Sequence, residues 1–259
     1  MDKKLPGRIW RVVYPALLLF GAYFAVYIVA ILTYGTFFSS QYDTIESFMS
    51  AAGDIISGAA LVAGGLAVYY IYRKDYVVSG KWLFNTPKYL IFTILFAILS
   101  CHGLSILVSL VNYSGLLGTY TQTATMLSTS GLIITIFKSV ILVPLAEEVT
   151  FRGLVFRRME LYTSFWPAAL VSAALFGLYH MNLLQGIYAF LYGILLCLVY
   201  RIFRNLWATI AMHAAANAFS VLFQYSGLDY PSVPVYCAVM TACLAGAAAI
   251  YLLILKKAD

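Results

Sequence analysis

A series of long apolar stretches, parted by short polar loops, restricts what this chain can become. A bilayer's hydrocarbon core of about 30 Å takes roughly 20 apolar residues as a helix. Runs at about 12–38, 45–72, 88–112, 131–157, 165–181, 184–200, 205–224 and 233–255 approach or exceed that length. They predict an all-α polytopic membrane helix bundle of about eight transmembrane helices. Composition agrees, with 63% of residues hydrophobic and 10% charged, against about half and a quarter in a soluble domain. No Pro-, Ser- or Gly-rich linker divides the chain, so residues 1–259 are expected to form one membrane-embedded domain. The first run is far longer than the apolar core of a signal peptide and reads as a retained helix.

Charge placement gives an orientation. Lys3, Lys4, Arg8 and Arg11 precede the first run, and Arg73, Lys74, Lys81 and Lys88 lie between the second and third. Arg157 and Arg158 follow the fourth, Arg201 and Arg204 separate the sixth and seventh, and Lys256 and Lys257 follow the eighth. With eight spans, all of these fall on one side. The opposite loops, near Asp43 and Glu46, over 112–130 and 181–185, and near Asp229, hold no Lys or Arg. The positive-inside rule therefore predicts cytoplasmic termini. The net charge of +6 is a topology signal and does not point to nucleic acid. Lipid is the expected surrounding, and the short loops suggest a bacterial cytoplasmic membrane.

Other features read as packing. Cys101, Cys197, Cys237 and Cys243 form no C-x-x-C pair and are expected to be small buried hydrophobes. Tyr69, Tyr70, Tyr72, Tyr76, Tyr113, Tyr120, Tyr225 and Tyr230 near the span ends suggest an interfacial belt. The small-residue run Ala51 to Gly65 suggests a close-packing helix face. Asp54 reads as interfacial or packing. Tyr42, Asp43 and Asp54 lie too close together to supply the two aspartates of an aspartyl intramembrane protease. No G-x-S-G or G-x-S-x-G supports a serine nucleophile.

The sequence PLAEEVTFRGLVFRR, Pro144 to Arg158, breaks the apolar pattern. Even the gentlest insertion scale charges roughly +2.5–3.5 kcal/mol for an ionisable group at a span's centre, so such groups are functional candidates. Glu148 and Arg152 are four apart and expected to pair on one helix face. Glu147 is turned from Glu148 by about 100° and is left without that partner. At 1.5 Å per residue, Glu147 lies roughly 15 Å in from Arg157 and His213 roughly 14 Å in from Arg204. On the same reckoning His180 lies roughly 20 Å in from Trp166. Asn217 follows His213 by one turn, and Phe176 precedes His180 by one turn. His102 reads as a histidine bonded to a neighbouring helix. Two hydrolytic chemistries fit such a cluster. In one, Glu147 is a general base, His180 shares the water, and His213 with Asn217 supports an oxyanion. In the other, Glu147, His180 and His213 hold zinc with an open position for water.

Three ordered motifs lie on separate expected spans. They are E-E-x-x-x-R at Glu147, Glu148 and Arg152, F-x-x-x-H at Phe176 and His180, and H-x-x-x-N at His213 and Asn217. The set resembles the CPBP family, the CAAX proteases and bacteriocin-processing enzymes also called ABI-domain proteins. The resemblance covers about 144–219, and the surrounding spans fit the family's eight-helix layout. It implies an intramembrane endopeptidase in which Glu147 and His180 activate water and His213 and Asn217 support the oxyanion. Glu148, Arg152 and Phe176 would take supporting places. It also implies a metal-free mechanism, with zinc as the alternative. The implied substrate is a membrane-associated peptide or protein near the inner leaflet: a CAAX tail, a pheromone or a bacteriocin leader. A non-catalytic immunity or scaffold protein with the same bundle is the alternative function.

Overall fold

The computed structural model describes residues 5–77, 89–111 and 132–258. Lys3, Lys4, Lys81, Lys88, Tyr113, Tyr120 and the loop 112–130 lie outside these residues. Helix α1 spans Leu5–Thr33 and continues as a π turn over Tyr34–Phe38. Helix α2 spans Ile45–Tyr72, with a π turn at Arg73–Val77, and α3 spans Leu90–Val111. Helix α4 is segmented: α-helical at Leu132–Ile136, Val143–Glu148 and Arg157–Met159, and π-helical at Phe137–Leu142 and Val149–Phe156. Then follow α5 (Phe165–Tyr179), α6 (Leu183–Phe203), α7 (Leu206–Ser226) and α8 (Val233–Ala258).

Six helices among the described residues are long and apolar enough to cross a membrane: Leu5–Phe38, Ile45–Tyr76, Leu90–Val111, Leu183–Phe203, Leu206–Ser226 and Val233–Lys256. The protein is an integral, polytopic, all-α membrane protein. Two of the eight expected spans differ from that simple form. Helix α5 has 15 residues, about 22 Å at 1.5 Å per residue, which falls short of the hydrocarbon thickness. Helix α4 carries Pro144 in its middle, where a missing N–H and a bulky ring disfavour regular helix. The turn before Pro144 is of π type, a common companion of helix irregularity at functional sites.

Helix α4 is the centre of the bundle. It packs against α1, α2, α5, α6 and α7, and residues 146–156 are buried without a break. A helix buried on all sides must be apolar all round or must supply partners for its polar groups. Within α4 the Phe151 carbonyl accepts from the Ser172 hydroxyl at 2.9 Å. Helix α8 is peripheral, packing on α3 and α6. That corrects the cysteine expectation in part. Cys101 and Cys197 are buried, Cys243 is half-buried and Cys237 is exposed, and all four are free thiols.

One end of the bundle is basic. Arg158 of α4 donates to the Arg11 carbonyl at 2.6 Å, to the Tyr14 hydroxyl at 3.0 Å and to Asp75 at 2.8 Å. Arg204 pairs with Glu160 at 2.6 Å, and Arg157 lies 3.5 Å from the centre of the Tyr76 ring. The start of α1 and the ends of α2, α4 and α6 therefore meet at one face. Tyr72 and Tyr76 are buried in this end, which corrects their place in an interfacial belt. Lys138 forms an ion pair with Asp54, so Asp54 is a packing residue between α2 and α4. His102 bonds the Tyr230 hydroxyl at 2.6 Å. Its partner therefore lies on the turn between α7 and α8, not on a helix.

Small residues set two close approaches. Gly64 and Gly65 let α2 reach Leu19 and Ala146, whereas Gly53 and Gly58 meet nothing within 4 Å. The Ala51 to Gly65 run is buried at Ile56, Ala60, Leu61 and Gly64, and its glycine close approaches fall at its end. Helices α5 and α6 nearly touch at Gly177, where a Cβ would sit 2.7 Å from the Gly186 carbonyl oxygen. Backbone cannot give way there as a side chain can. Gly177→Ala is expected to lower stability by about 1–3 kcal/mol, the usual cost of overpacking. A thermal melt in detergent checks this, and an unchanged melting temperature would show that the two helices can separate freely.

Candidate active site

Three helices bring the motif residues together. Glu147, Glu148 and Arg152 come from α4, His213 and Asn217 from α7, and Phe176 and His180 from the end of α5. Arg152 and Glu148 are 0% exposed, Glu147 4% and His213 5%. The two adjacent glutamates have different surroundings. Glu148 Oε1 accepts from Arg152 Nη1 at 2.8 Å and faces His213 Nδ1 at 2.8 Å. Arg152 Nη2 donates to the Gly193 carbonyl of α6 at 3.1 Å. Glu147 has no such anchor. Its Oε2 is buried without a hydrogen-bond partner, and His213 Nε2 lies 3.8 Å away.

His180 owes its orientation to the way α5 ends. Its backbone N–H bonds the Gly177 carbonyl at 3.2 Å, a tightened last turn that leaves the Phe176 carbonyl without that donor. The His180 ring supplies one, with Nδ1–H donating to the Phe176 carbonyl at 2.8 Å. That bond assigns the proton to Nδ1 and leaves the Nε2 lone pair available. His180 is thus a helix-end residue, close to the end of the expected span 165–181. Met181 just beyond it adopts a left-handed backbone, which turns the chain into α6.

Phe176 does more than pack beside His180. Its ring centre lies 4.9 Å from that of His180, 5.9 Å from His213 and 5.0 Å from Phe151. The Arg152 guanidinium carbon stands 4.5 Å from the same ring centre. This cation–π contact adds a second restraint on the cation beside the carboxylate. Asn217 does not point its amide at His213's partners. Its Nδ2 donates to the Ser139 carbonyl of α4 at 2.7 Å.

Two neighbours were not expected from sequence. Tyr179 and Tyr23 lie within electrostatic reach of Glu147, with their ring centres 6.1 Å apart. Tyr179 directly precedes a motif histidine, a signal that sequence offers. Tyr23 on α1 and the Gly193 carbonyl on α6 carry no signal, because only packing brings them near. Among the described residues, no three of His, Cys, Asp and Glu gather to hold a metal ion.

Comparison with known proteins places these observations. Residues 129–219, which include every motif residue, match the family described as type II CAAX prenyl endopeptidase Rce1-like. The chain is 30% identical over 89 residues to a Bacillus subtilis (strain 168) protein named "Putative membrane peptidase YdiL". That match covers 34% of this chain and 36% of the relative, so the chain spans little more than a third of the protein it resembles. No solved structure matches the chain. Residues 129–219, the segment that carries the buried cluster and the three motifs, are thus similar to the Rce1-like CAAX endopeptidase family.

Proposed function

We propose that the protein is an intramembrane endopeptidase of the glutamate type, acting on membrane-associated peptide or protein substrates. The observation that carries this reading is the asymmetry of the two glutamates. Glu148 Oε1 is held by Arg152 and His213 at hydrogen-bond distance, whereas Glu147 Oε2 is buried without a hydrogen-bond partner, 3.8 Å from His213 Nε2. A carboxylate kept free inside an apolar bundle is costly and suited to general-base work.

In this mechanism a water molecule lies between Glu147 and His180. Glu147 takes one proton, and His180 Nε2, left bare by the bond from Nδ1, accepts the other hydrogen bond. The water oxygen attacks the scissile carbonyl carbon, and the carbonyl electron pair moves to oxygen as an oxyanion. In this reading His213, oriented by Glu148, supports that charge. The oxyanion collapses, the C–N bond breaks, and the proton held by Glu147 passes to the departing amine. Each step uses side chains of this chain alone.

The basic end of the bundle supports cytoplasmic termini by the positive-inside rule, with substrate entering from the inner leaflet. The resemblance extends the substrate to a CAAX tail, a pheromone or a bacteriocin leader. Purified protein is expected to cleave a membrane-presented peptide library. His180→Ala is expected to abolish that cleavage, and a tight chelator to leave it unchanged. Loss of activity to the chelator with recovery on adding zinc would instead support the metal reading. A wild-type protein silent across the library would favour a non-catalytic immunity or scaffold role.

A further inference from the structure

The register of helix α4 around Pro144 leaves the Ser139 carbonyl without a backbone donor, and a side chain from α7 fills the gap. At the end of the π turn, the Val143 N–H reaches back five residues to the Lys138 carbonyl. In that register the next N–H, that of residue 144, would take the Ser139 carbonyl. Residue 144 is proline, which has no N–H. A regular α-helical turn would give Ser139 the Val143 N–H, but that donor is committed to Lys138. The Asn217 amide donates to the Ser139 carbonyl instead, at 2.7 Å. Ser139 is half-buried, and in the hydrocarbon region, which offers no bulk water as a substitute, a carbonyl left unpaired is strongly disfavoured.

We propose that Asn217 is a positioning residue, whose amide caps the carbonyl orphaned by Pro144 and so holds the π turn that aims Glu147. The use made of Glu147 rests on the protease reading above; the cap does not. Glu147 follows Pro144 by three residues. Dropping one residue from a helical turn rotates everything beyond it by about 100° relative to everything before it. Without Asn217, the Ser139 carbonyl competes with that of Lys138 for the Val143 N–H. If it wins, the turn becomes α-helical and the Glu147 carboxylate swings away from His213 Nε2, now 3.8 Å distant. This role is distinct from the oxyanion contact implied by the H-x-x-x-N resemblance: one amide hydrogen of Asn217 is committed to backbone, and the amide has a second.

The two roles separate in a double-variant cycle with Pro144→Ala. Alanine restores an N–H at position 144, which can take the Ser139 carbonyl in the existing π register. Asn217→Ala alone is expected to lower kcat by about 10- to 100-fold with little change in KM, the scale of a small misplacement of a reacting group. Asn217→Ala combined with Pro144→Ala is expected to regain most of that loss. No regain in the double variant would mean that Asn217 acts on substrate directly, and an Asn217→Ala variant with full activity would equally overturn the proposal. If the wild type cleaves no peptide, the protease reading fails separately and the cycle is read by melting temperature in detergent. Asn217→Ala should then destabilise only where Pro144 is present, and equal losses in both backgrounds would overturn the cap. Should Pro144→Ala not fold, solid-state NMR of protein labelled at Ser carbonyl carbon and Val nitrogen gives signals from three pairs, Ser139–Val140, Ser220–Val221 and Ser232–Val233, and the signal lost in Val140→Ile is that of Ser139. Asn217→Ala must shift the Ser139 carbonyl resonance, and an unmoved resonance would refute the bond.

Discussion

Glu147→Gln is expected to lower kcat for peptide cleavage by about 10²- to 10⁴-fold, the usual contribution of a general base, while leaving the melting temperature unchanged or higher. Glutamine keeps the shape and removes a carboxylate whose Oε2 has no hydrogen-bond partner. Glu148→Gln, one residue along, is expected to behave differently. It leaves Arg152 buried without its carboxylate and removes the charged partner of His213 Nδ1. Stability and activity should then fall together. Cleavage rates and detergent melts on both variants decide the matter. Two variants that behave alike would remove the distinction between a free base and a braced neighbour on which the mechanism stands.

The second large effect concerns Arg152. Arg152→Ala is expected to cost about 3–5 kcal/mol, because removing one member of a buried ion pair strands the other. The guanidinium also supports the Gly193 carbonyl and covers the Phe176 ring, so three restraints vanish at once. Removing both charges, as in Glu148→Leu with Arg152→Met, is expected to recover much of that stability, since apolar replacements of a buried pair are often neutral or better. Activity should not return with it, because His213 Nδ1 would then lack its acceptor. Melting and turnover measured on the same samples test this separation. A double variant that is stable and fully active would show that the ion pair has no part in placing the histidine.

Much of this arrangement was legible in the chain before any coordinates. Apolar runs of membrane-crossing length determined the helical, polytopic class, because a backbone in lipid must satisfy its own hydrogen bonds. The four-residue spacing of Glu148 and Arg152 determined their pairing, because one helical turn joins those positions. Their pairing singled out Glu147. These are local relations, and local geometry is what a sequence encodes most directly.

Tertiary structure decided the rest. The tightened turn at the end of α5 frees the Phe176 carbonyl and so puts the His180 proton on Nδ1. Nothing in F-x-x-x-H displays that bond. The Gly193 carbonyl reaches Arg152 only because α6 packs beside α4. Tyr23 reaches the site from α1, and Asp54 finds Lys138 across a separation that no periodicity signals. The bond from Asn217 to Ser139 joins two helices through a carbonyl that a proline leaves open. A sequence displays which residues share a helix face, but side-chain partners in different helices are chosen by which helices pack together, and in this bundle that choice centres on the buried segment 146–156 of α4.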